Sequence, residues 1–505
     1  MKKFFLLLVA FIFLATGRGL SASLNGINQD GKSEVLTTTL AHGFPVIVIT
    51  TEDGSMPTVD IVSPPEGAMG YGSANATKIP GSVERYEPDG TCSFSSGDYV
   101  KSESGMTIKI RGNSSSHMER KPYKIKLQKK ADLLNRGDKN LNDKNWALLT
   151  LGAWRNWMAM KLSREISRQW APDCEWVNVI FNGQYHGLYL LAETIERNNK
   201  GRINVADDGF IVEKDPYWWT EDGEYIPSVL SPRYAYTLKY PDFEDLDEDG
   251  KEYIKTTLDP LLEKLEWSGY DEHIDLDSWI DFVLVHDLMG TNDAGGCNLY
   301  FIKYDRDSKI GLGPAWDFDS AGQSSYLSAT HLGEQYLRRL FNNQDRTFVR
   351  KYVERFDEVA EGAYDMIERM IEEGPCDEEM FSRSKAATDA LVSNNIFSHA
   401  EARDMLGSWL PQHKDTHIEY VNGLRESFSS VAEVADGSAN IRVEGNIVKG
   451  AGLLPGQEVK VYTIDGGQLQ NGNVAPDGCF ELTLPNHAGL LIIHSGALVK
   501  KVMIK

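Results

Sequence analysis

The spacing of apolar residues changes twice along this chain, and each change limits the folds it can adopt. Up to about residue 215, apolar residues alternate in short runs such as 123–127 and 176–181, the period of a half-buried strand. From about 250 to 430 they recur every three or four residues, as in amphipathic helices. After residue 440 only strand-like runs remain. Because 505 residues are too many for one ordinary hydrophobic core, the sequence predicts an α+β fold of more than one domain.

The predicted organisation follows these changes. Residues 24 to about 110 read as short strands and loops, followed by a mixed sheet with a helix at 154–170. Four helices are expected in the second half, at 253–265, 276–288, 348–373 and 400–424. A strand pair near 298–304 and 310–316 interrupts them. Residues 24–428 form one predicted domain, 429–440 a linker and 441–505 a small all-β sandwich.

The first residues are typical of a secretory signal peptide, assigned to residues 1–23. Lys2 and Lys3 precede an apolar run at 4–15, and small or polar residues follow. A bilayer-spanning helix needs about 20 residues, so we expect no stable membrane insertion, with an uncleaved anchor as the alternative. The predicted location is therefore outside the cell, either secreted or at the cell surface.

Charge and cysteine content exclude two classes of protein. The 52 basic and 74 acidic residues give a net charge of −22, which repels phosphate backbones, so no nucleic-acid partner is expected. The 5 cysteines are few and contain no CxxC pair, so neither a disulfide framework nor a zinc-thiolate site is expected.

A strand, a polar turn and a lysine-bearing strand occur in succession at 110–127. Arg111 and Ser114 lie in the turn, and Lys126 lies in the strand that follows. Hydroxyl groups, exposed N–H groups and a lysine are typical of a phosphate-binding turn. A basic hairpin face without a ligand is the alternative.

Oxygen-bearing side chains follow one predicted helix and one predicted strand. Asp293 and Asn298 are five residues apart, the separation that protein kinases use between catalytic base and metal-binding Asn. Asp317 precedes Phe318, as the aspartate does in the kinase DFG element. This set fits phosphoryl transfer with a hard cation such as Mg²⁺, while turn capping is the alternative.

Two other patterns are similar to metal sites but predict helices. The acidic run 245–250 opens like a calcium loop, yet its twelfth position is Thr256, so it predicts a helix start. His413 and His417 are spaced i, i+4 without the glutamate of HExxH, so they predict a solvated helix face.

Taken in order, these segments resemble the CotH family of atypical protein kinases, named after spore-coat protein H, over about residues 45–425. The matching phrases are 110–115, 121–127, 145–149, Arg155-Asn156, 187–193, Tyr240-Pro241, Asn292-Asp293 with Asn298 and Tyr300, and 316–319. The resemblance implies a kinase-like domain with a mixed-sheet lobe and a helical lobe. The usual Gly-rich loop, HRD and DFG strings are absent as such.

The resemblance also implies a reaction and a set of roles. ATP with Mg²⁺ or Mn²⁺ would be the cofactor, and a protein with a Ser or Thr hydroxyl would be the acceptor. The implied catalytic residues are Asp293 and Asp317, the metal ligands Asn298 and Asp317, and the phosphate-binding residues Arg111, Ser114 and Lys126. Glu193 is the candidate, by position, to orient Lys126.

The terminal β-domain resembles the sorting domains of exported Bacteroidetes-type proteins, on residues 459–462, the 465–467 turn and the basic end at Lys500, Lys501 and Lys505. That resemblance implies secretion machinery as a partner, whereas a carbohydrate-binding or spacer sandwich is the alternative. For the whole chain, the alternative to a kinase is a non-catalytic surface, adhesion or glycan-associated protein that keeps the fold.

Overall fold

The computed structural model describes residues 33–68, 70–220, 223–291, 294, 298–322, 334–391, 398–432, 440–444, 446–463, 466–485, 489–496 and 498–504. The predicted signal peptide and Asp293 lie outside these residues. The chain forms two compact units, which divide between His417 and Ile418. Within the described ranges, no helix combines the length and apolar character needed to cross a membrane.

The larger unit is a mixture of strands and helices, in agreement with the predicted α+β class. Its strands are β1 Val46–Thr51, β2 Asp60–Val62, β3 Gly72–Ala74, β4 Ile79–Tyr86, β5 Cys92–Ser95, β6 Met106–Ile110, β7 Tyr123–Ala131, β8 Asp143–Leu149, β9 Cys174–Phe181, β10 Gln184–Glu193, β11 Phe210–Asp215, β12 Tyr225–Pro227, β13 Ala235–Tyr240, β14 Leu299–Lys303 and β15 Ile310–Leu312. Its helices are α1 Glu34–Leu40, α2 Ala153–Ile166, α3 Glu248–Leu258, α4 Leu261–Lys264, α5 Leu276–Leu288, α6 Gln335–Asn342, α7 Thr347–Glu373, α8 Glu378–Asp389 and α9 His399–Ala432, which continues into the second unit.

The first large sheet closes on itself. Its order is β1-β9-β10-β8-β7-β6-β4-β5, and β1 pairs with β4 as well as with β9. The β1–β9 pair is parallel and the other pairs are antiparallel. Side chains alternate between the two faces, so the barrel interior collects a buried apolar cluster that includes Ile47, Ile125, Trp146, Val179 and Leu191. The outward positions of β7 carry Lys124 and Lys126 instead.

A second sheet positions the hairpin that leads to Asp317. Its order is β12-β13-β11-β14-β15, and all of its pairs are antiparallel. Every residue of β11, β14 and β15 is buried, so these three strands lie within the unit, whereas β12 and β13 keep partly exposed residues. The Phe301 ring of β14 packs against Trp279 of α5 with 6.2 Å between ring centroids.

Two helix starts show why local sequence decides helix boundaries. Residues 24–110 were expected to form strands and loops, yet α1 lies among them because the Ser33 hydroxyl accepts the Leu36 N–H at 3.1 Å. The acidic run 245–250 does begin a helix: Asp247 Oδ1 accepts the Gly250 N–H at 2.8 Å at the start of α3. That helix starts earlier than predicted, and α4 is separated from it.

The second unit contains two antiparallel sheets. Their strands are β16 Asn440–Glu444, β17 Ile447–Ala451, β18 Glu458–Thr463, β19 Gln468–Asn473, β20 Phe480–Thr483, β21 Gly489–Ser495 and β22 Leu498–Ile504. The sheet orders are β16-β17-β20 and β19-β18-β21-β22, and both contribute to one buried cluster that includes Val448, Phe480, Val461 and Ile493. Residues 429–432 of the predicted linker are helical, and 433–439 lie outside the described residues.

Candidate functional site

One rim of the barrel carries the predicted polar turn. The end of β6 and the start of β7 meet there, because Ile110 pairs with Tyr123 and the Arg111 N–H donates to Pro122 O at 3.1 Å. The Arg111 guanidinium lies over the Trp316 ring, with its carbon 5.5 Å from the ring centroid. The structure therefore brings Arg111 beside Trp316 and Asp317, although they are two hundred residues apart.

Asp317 has an unusual backbone conformation, and its carboxylate lies in an environment that disfavours its charge. Its φ of +65° lies in the left-handed region, which for a residue other than glycine costs on the order of 1 kcal/mol and occurs often at functional sites. Burial raises the pKa of the Asp317 carboxyl, while the Arg111 charge and the Asp319 N–H lower it in part. Its side chain keeps some exposure to solvent. A cation next to this carboxylate would relieve the cost of burying its charge.

The β14–β15 hairpin brings Asn298 to the same end of the second sheet. Phe301 pairs with Leu312, and the Gly313 N–H donates to Tyr300 O at 3.0 Å, so the residue before β14 lies beside the residues after β15. Asn298 is 3% exposed. Carboxylate and amide oxygens are hard ligands, so Asp317 and Asn298 offer the ligand atoms that Mg²⁺ or Mn²⁺ prefers. Among the residues that the structure describes, no group of three or more His, Cys, Asp or Glu side chains could hold a metal.

The first turn of α2 contacts the backbone that follows Asp317. The Phe318 N–H donates to Asn156 Oδ1 at 3.0 Å, and Arg155 Nη1 donates to Asp319 O at 3.2 Å. Gly152, with φ of +55°, precedes the helix, and a Cβ at this position would lie 2.3 Å from Asp319 Cα. Only glycine permits this approach without displacing the Asp319 backbone.

The Phe318 ring is fixed from its other side by a buried histidine. His286 of α5 stacks on Phe318 at 4.6 Å between ring centroids, and neither nitrogen of its fully buried ring has a hydrogen-bond partner among the described residues. Burial lowers the pKa of His286 to about 3, so the ring is neutral at physiological pH. His286 therefore packs as an aromatic ring beneath the segment that contains Asp317.

The residues that flank Asp293 approach the residues after Asp317. The Thr291 and Ser320 hydroxyls are 2.7 Å apart, and the Gly322 N–H donates to Met289 O at 3.0 Å. Ala294 is buried. The C-terminal end of α5, which leads to Asp293, is thus bonded to the segment that carries Asp317.

The prediction of a solvated face for His413 and His417 is wrong, because both side chains are fully buried against α5 and α7. His413 Nε2 lies 3.1 Å from Leu288 O, one of the unpaired carbonyls at the end of α5. His417 lies between two tyrosines, 3.0 Å from Tyr352 Oη and 2.8 Å from Tyr364 Oη, and Tyr352 donates to Asp287 Oδ2 at 2.8 Å. Both histidines therefore anchor α5.

The structure does not bring Lys126 and Glu193 together. Glu193 pairs with Trp146, which pairs with Ile125 of the barrel interior, whereas Lys126 is the next residue of β7 and points outward. Glu193 is fully buried and binds Arg136 at 2.8 Å, and its second oxygen accepts the Asp173 N–H at 2.9 Å. The expected pairing was wrong because the two side chains project to opposite faces of the barrel.

The neighbouring outward lysine of β7 has a carboxylate partner, whereas Lys126 has none in the part of the chain that the structure describes. Lys124 Nζ binds Glu196 Oε1 at 3.1 Å, and both side chains are partly exposed. Along β7, Lys124 lies two residues nearer than Lys126 to the rim at Arg111, a difference of about 7 Å. Lys126 is exposed on the same outer face, and Ser114 is exposed in the short 3₁₀ turn Ser114–His117. Sequence spacing alone could not distinguish the two lysines.

Among the matches to known proteins are a family model and a distant solved structure. The family model described as CotH kinase protein matches residues 108–407. Among solved structures, the crystal structure of the Helicobacter pylori proinflammatory kinase CtkA matches at a TM-score of 0.28 and 9% identity, over 56% of this chain and 92% of that chain. We base no inference on that second likeness. No curated protein matches the chain.

Proposed function

The chain belongs to the CotH kinase family, and from this we propose that it is an exported kinase. In this proposal it transfers the γ-phosphoryl group of ATP to Ser or Thr hydroxyls of a protein substrate. The observation that carries the proposal is Asp317, a strained and largely enclosed carboxylate opposite Arg111 and at the hairpin end where Asn298 lies. A carboxylate held in this way lowers the stability of the fold, and such groups are typical of sites where the carboxylate neutralises the charge of a bound cation.

Asp317 and Asn298 would hold the metal. When bound, Mg²⁺ or Mn²⁺ would neutralise charge on the transferring phosphoryl group. Arg111 contributes a fixed positive charge beside Asp317, and its planar guanidinium suits phosphate oxygens. The indole of Trp316 supports that guanidinium from one side.

Lys124 is the lysine that we propose for the nucleotide phosphates, with Glu196 orienting its amine. The Cα atom of Lys124 lies nearer the rim than that of Lys126, and the ion pair with the partly buried Glu196 restricts the rotamers of Lys124. Lys126 and Ser114 would contribute more weakly, since both side chains are exposed to solvent.

Asp293 would accept the proton of the acceptor hydroxyl. This role rests on the family and on its spacing to Asn298, because Asp293 itself lies outside the described residues. The bonds from Thr291 to Ser320 and from Gly322 to Met289 support the role, since they fasten the end of α5 to the Asp317 segment.

We also propose an extracellular location and a role for the second unit in export. The basic and apolar start of the chain supports secretion. Residues 441–505 would engage secretion machinery as a sorting domain, for which the separate two-sheet unit offers a suitable module.

The proposal is tested by phosphoryl transfer. Purified protein, γ-labelled ATP and Mg²⁺ or Mn²⁺ are incubated with a mixture of acceptor proteins, and the labelled amino acids are identified after acid hydrolysis. We expect phosphoserine or phosphothreonine with wild type, none with Asp293→Asn or Asp317→Asn, and unchanged transfer with Asp307→Asn, an exposed aspartate at the other end of the β14–β15 hairpin. ATP binding without transfer by any acceptor would favour the non-catalytic alternative.

A further inference from the structure

Two peptide groups after Asp317 are bonded to side chains of α2. Asn156 Oδ1 accepts the N–H of the peptide that joins Asp317 to Phe318, at 3.0 Å. Arg155 Nη1 donates to the Asp319 carbonyl at 3.2 Å. Both side chains come from the first turn of one helix, so a single rigid element holds the segment.

These contacts restrain the backbone that follows Asp317, whose own conformation lies in the left-handed region. The bond to the Phe318 N–H restrains rotation about ψ of Asp317, whose φ is +65°. Without that restraint the residue would relax toward the β or right-handed helical region and turn its carboxylate elsewhere. The stacking of His286 on Phe318 then fixes the ring but leaves this peptide plane free to rotate.

An amide side chain at position 156 is costly to bury unless it makes hydrogen bonds such as the one to the Phe318 N–H. It is 3% exposed and lies in the first turn of α2, where an apolar residue would be buried at lower cost. Its Nδ2 lies 3.2 Å from Gly152 O and 3.4 Å from Leu151 O. These donor contacts fix the orientation of the amide, and Oδ1 is therefore directed at Phe318.

We propose that Asn156 and Arg155 are positioning residues that hold Asp317 in its left-handed conformation, so that its carboxylate is presented to the metal. This inference rests on the proposed function, in which Asp317 is a metal ligand. The two residues need not touch metal or nucleotide: they act through the Phe318 and Asp319 backbone.

The test measures metal binding as well as activity. Mn²⁺ binding to the full chain is followed by electron paramagnetic resonance with a non-hydrolysable ATP analogue, and each variant is also melted. Residues that orient a metal ligand typically change affinity by about tenfold or more, so we expect about that loss for Asn156→Ala.

The matched control is Ser163→Ala, which removes another buried polar side chain from α2, one whose hydroxyl lies 3.1 Å from that of Ser167. It should melt lower but keep Mn²⁺ affinity. Equal losses of Mn²⁺ affinity in Asn156→Ala and Ser163→Ala would overturn the inference, as would an unchanged affinity in Asn156→Ala.

Two further outcomes keep the test decisive. Should Asn156→Ala not fold, Arg155→Met gives the same comparison, because it removes the bond to Asp319 and keeps an apolar stem; unchanged Mn²⁺ affinity in that variant would overturn the inference. Wild type that neither binds Mn²⁺ nor transfers phosphate would instead contradict the proposed function on which the inference rests.

Discussion

The buried imidazole of His417 makes the stability of the larger unit depend on pH. Tyr352 has one hydroxyl proton, which it donates to Asp287, so His417 Nε2 must carry a hydrogen and donate to Tyr352. Nδ1 is then unprotonated and accepts from the Tyr364 hydroxyl. A second proton on His417 would leave Tyr364 without an acceptor, and burial independently lowers the pKa of His417 to about 3.

The sign and size of the effect follow from this low pKa. Below a pH of about 6.5 the unfolded chain protonates His417, whereas the folded protein keeps it neutral down to about 3, so stability is lost as pH falls. Each pH unit below 6.5 costs about 1.4 kcal/mol, so the loss at pH 5.0 is about 2 kcal/mol from His417 alone. A His417→Gln variant lacks this contribution.

Urea unfolding followed by tryptophan fluorescence measures the difference, because all 11 tryptophans precede residue 418 and report on the larger unit. Between pH 7.5 and 5.0, the free energy of unfolding of wild type should fall by about 2 kcal/mol more than that of His417→Gln. His117→Gln, at an exposed histidine of the same unit, should behave as wild type. Identical pH dependence of wild type and His417→Gln would refute the reasoning.

Three other substitutions test separate parts of the structure. Gly152→Ala should lower the free energy of unfolding by more than about 1 kcal/mol and by more than Gly137→Ala. Both glycines have positive φ, but a Cβ at position 152 would lie 2.3 Å from Asp319 Cα, whereas a Cβ at position 137 would meet no atom within 4 Å. Equal effects in urea unfolding would contradict the close approach. Lys124→Ala should weaken binding of a fluorescent ATP analogue by about tenfold and Lys126→Ala by less, since Lys124 is nearer the rim and is paired with Glu196. A larger loss in Lys126→Ala would assign the phosphate-binding role to Lys126 instead. Lys214→Met should lower the free energy of unfolding, measured by calorimetry, by about 3–5 kcal/mol, because it leaves the buried Glu334 without its ion-pair partner. The double variant Lys214→Met with Glu334→Leu should lose less; equal losses would show that the pair is not coupled.

Much of the secondary structure could be predicted from local pattern. The alternation in 123–127, the helix over 276–288 and the strand pair that leads to Asp317 all occur where apolar spacing placed them. The closure of the barrel could not be predicted, because it depends on β1 pairing with both β4 and β9. Those contacts join distant segments, and one strand's own pattern carries no information on its partner.

Errors in the candidate site have the same origin. Whether Glu193 can reach Lys126 depends on the register of β7, β8 and β10, which decides the face of each side chain. His413 and His417 looked solvated because their own helix is polar, but His417 contacts two tyrosines of α7 and His413 Nε2 contacts a carbonyl of α5. Asn156 belonged to a matching phrase, yet its partner Phe318 is known only once α2 is packed against the segment after β15.

The most direct test of kinase activity compares two labels in the nucleotide. Purified chain is incubated with Mg²⁺ and either γ-labelled or α-labelled ATP, beside Asp317→Asn, which should melt within a few degrees of wild type. Phosphoryl transfer predicts label on protein from γ-labelled ATP alone, lost in Asp317→Asn. Label from α-labelled ATP would indicate nucleotidyl transfer instead, and γ-label that persists in Asp317→Asn would contradict the central role given to this carboxylate.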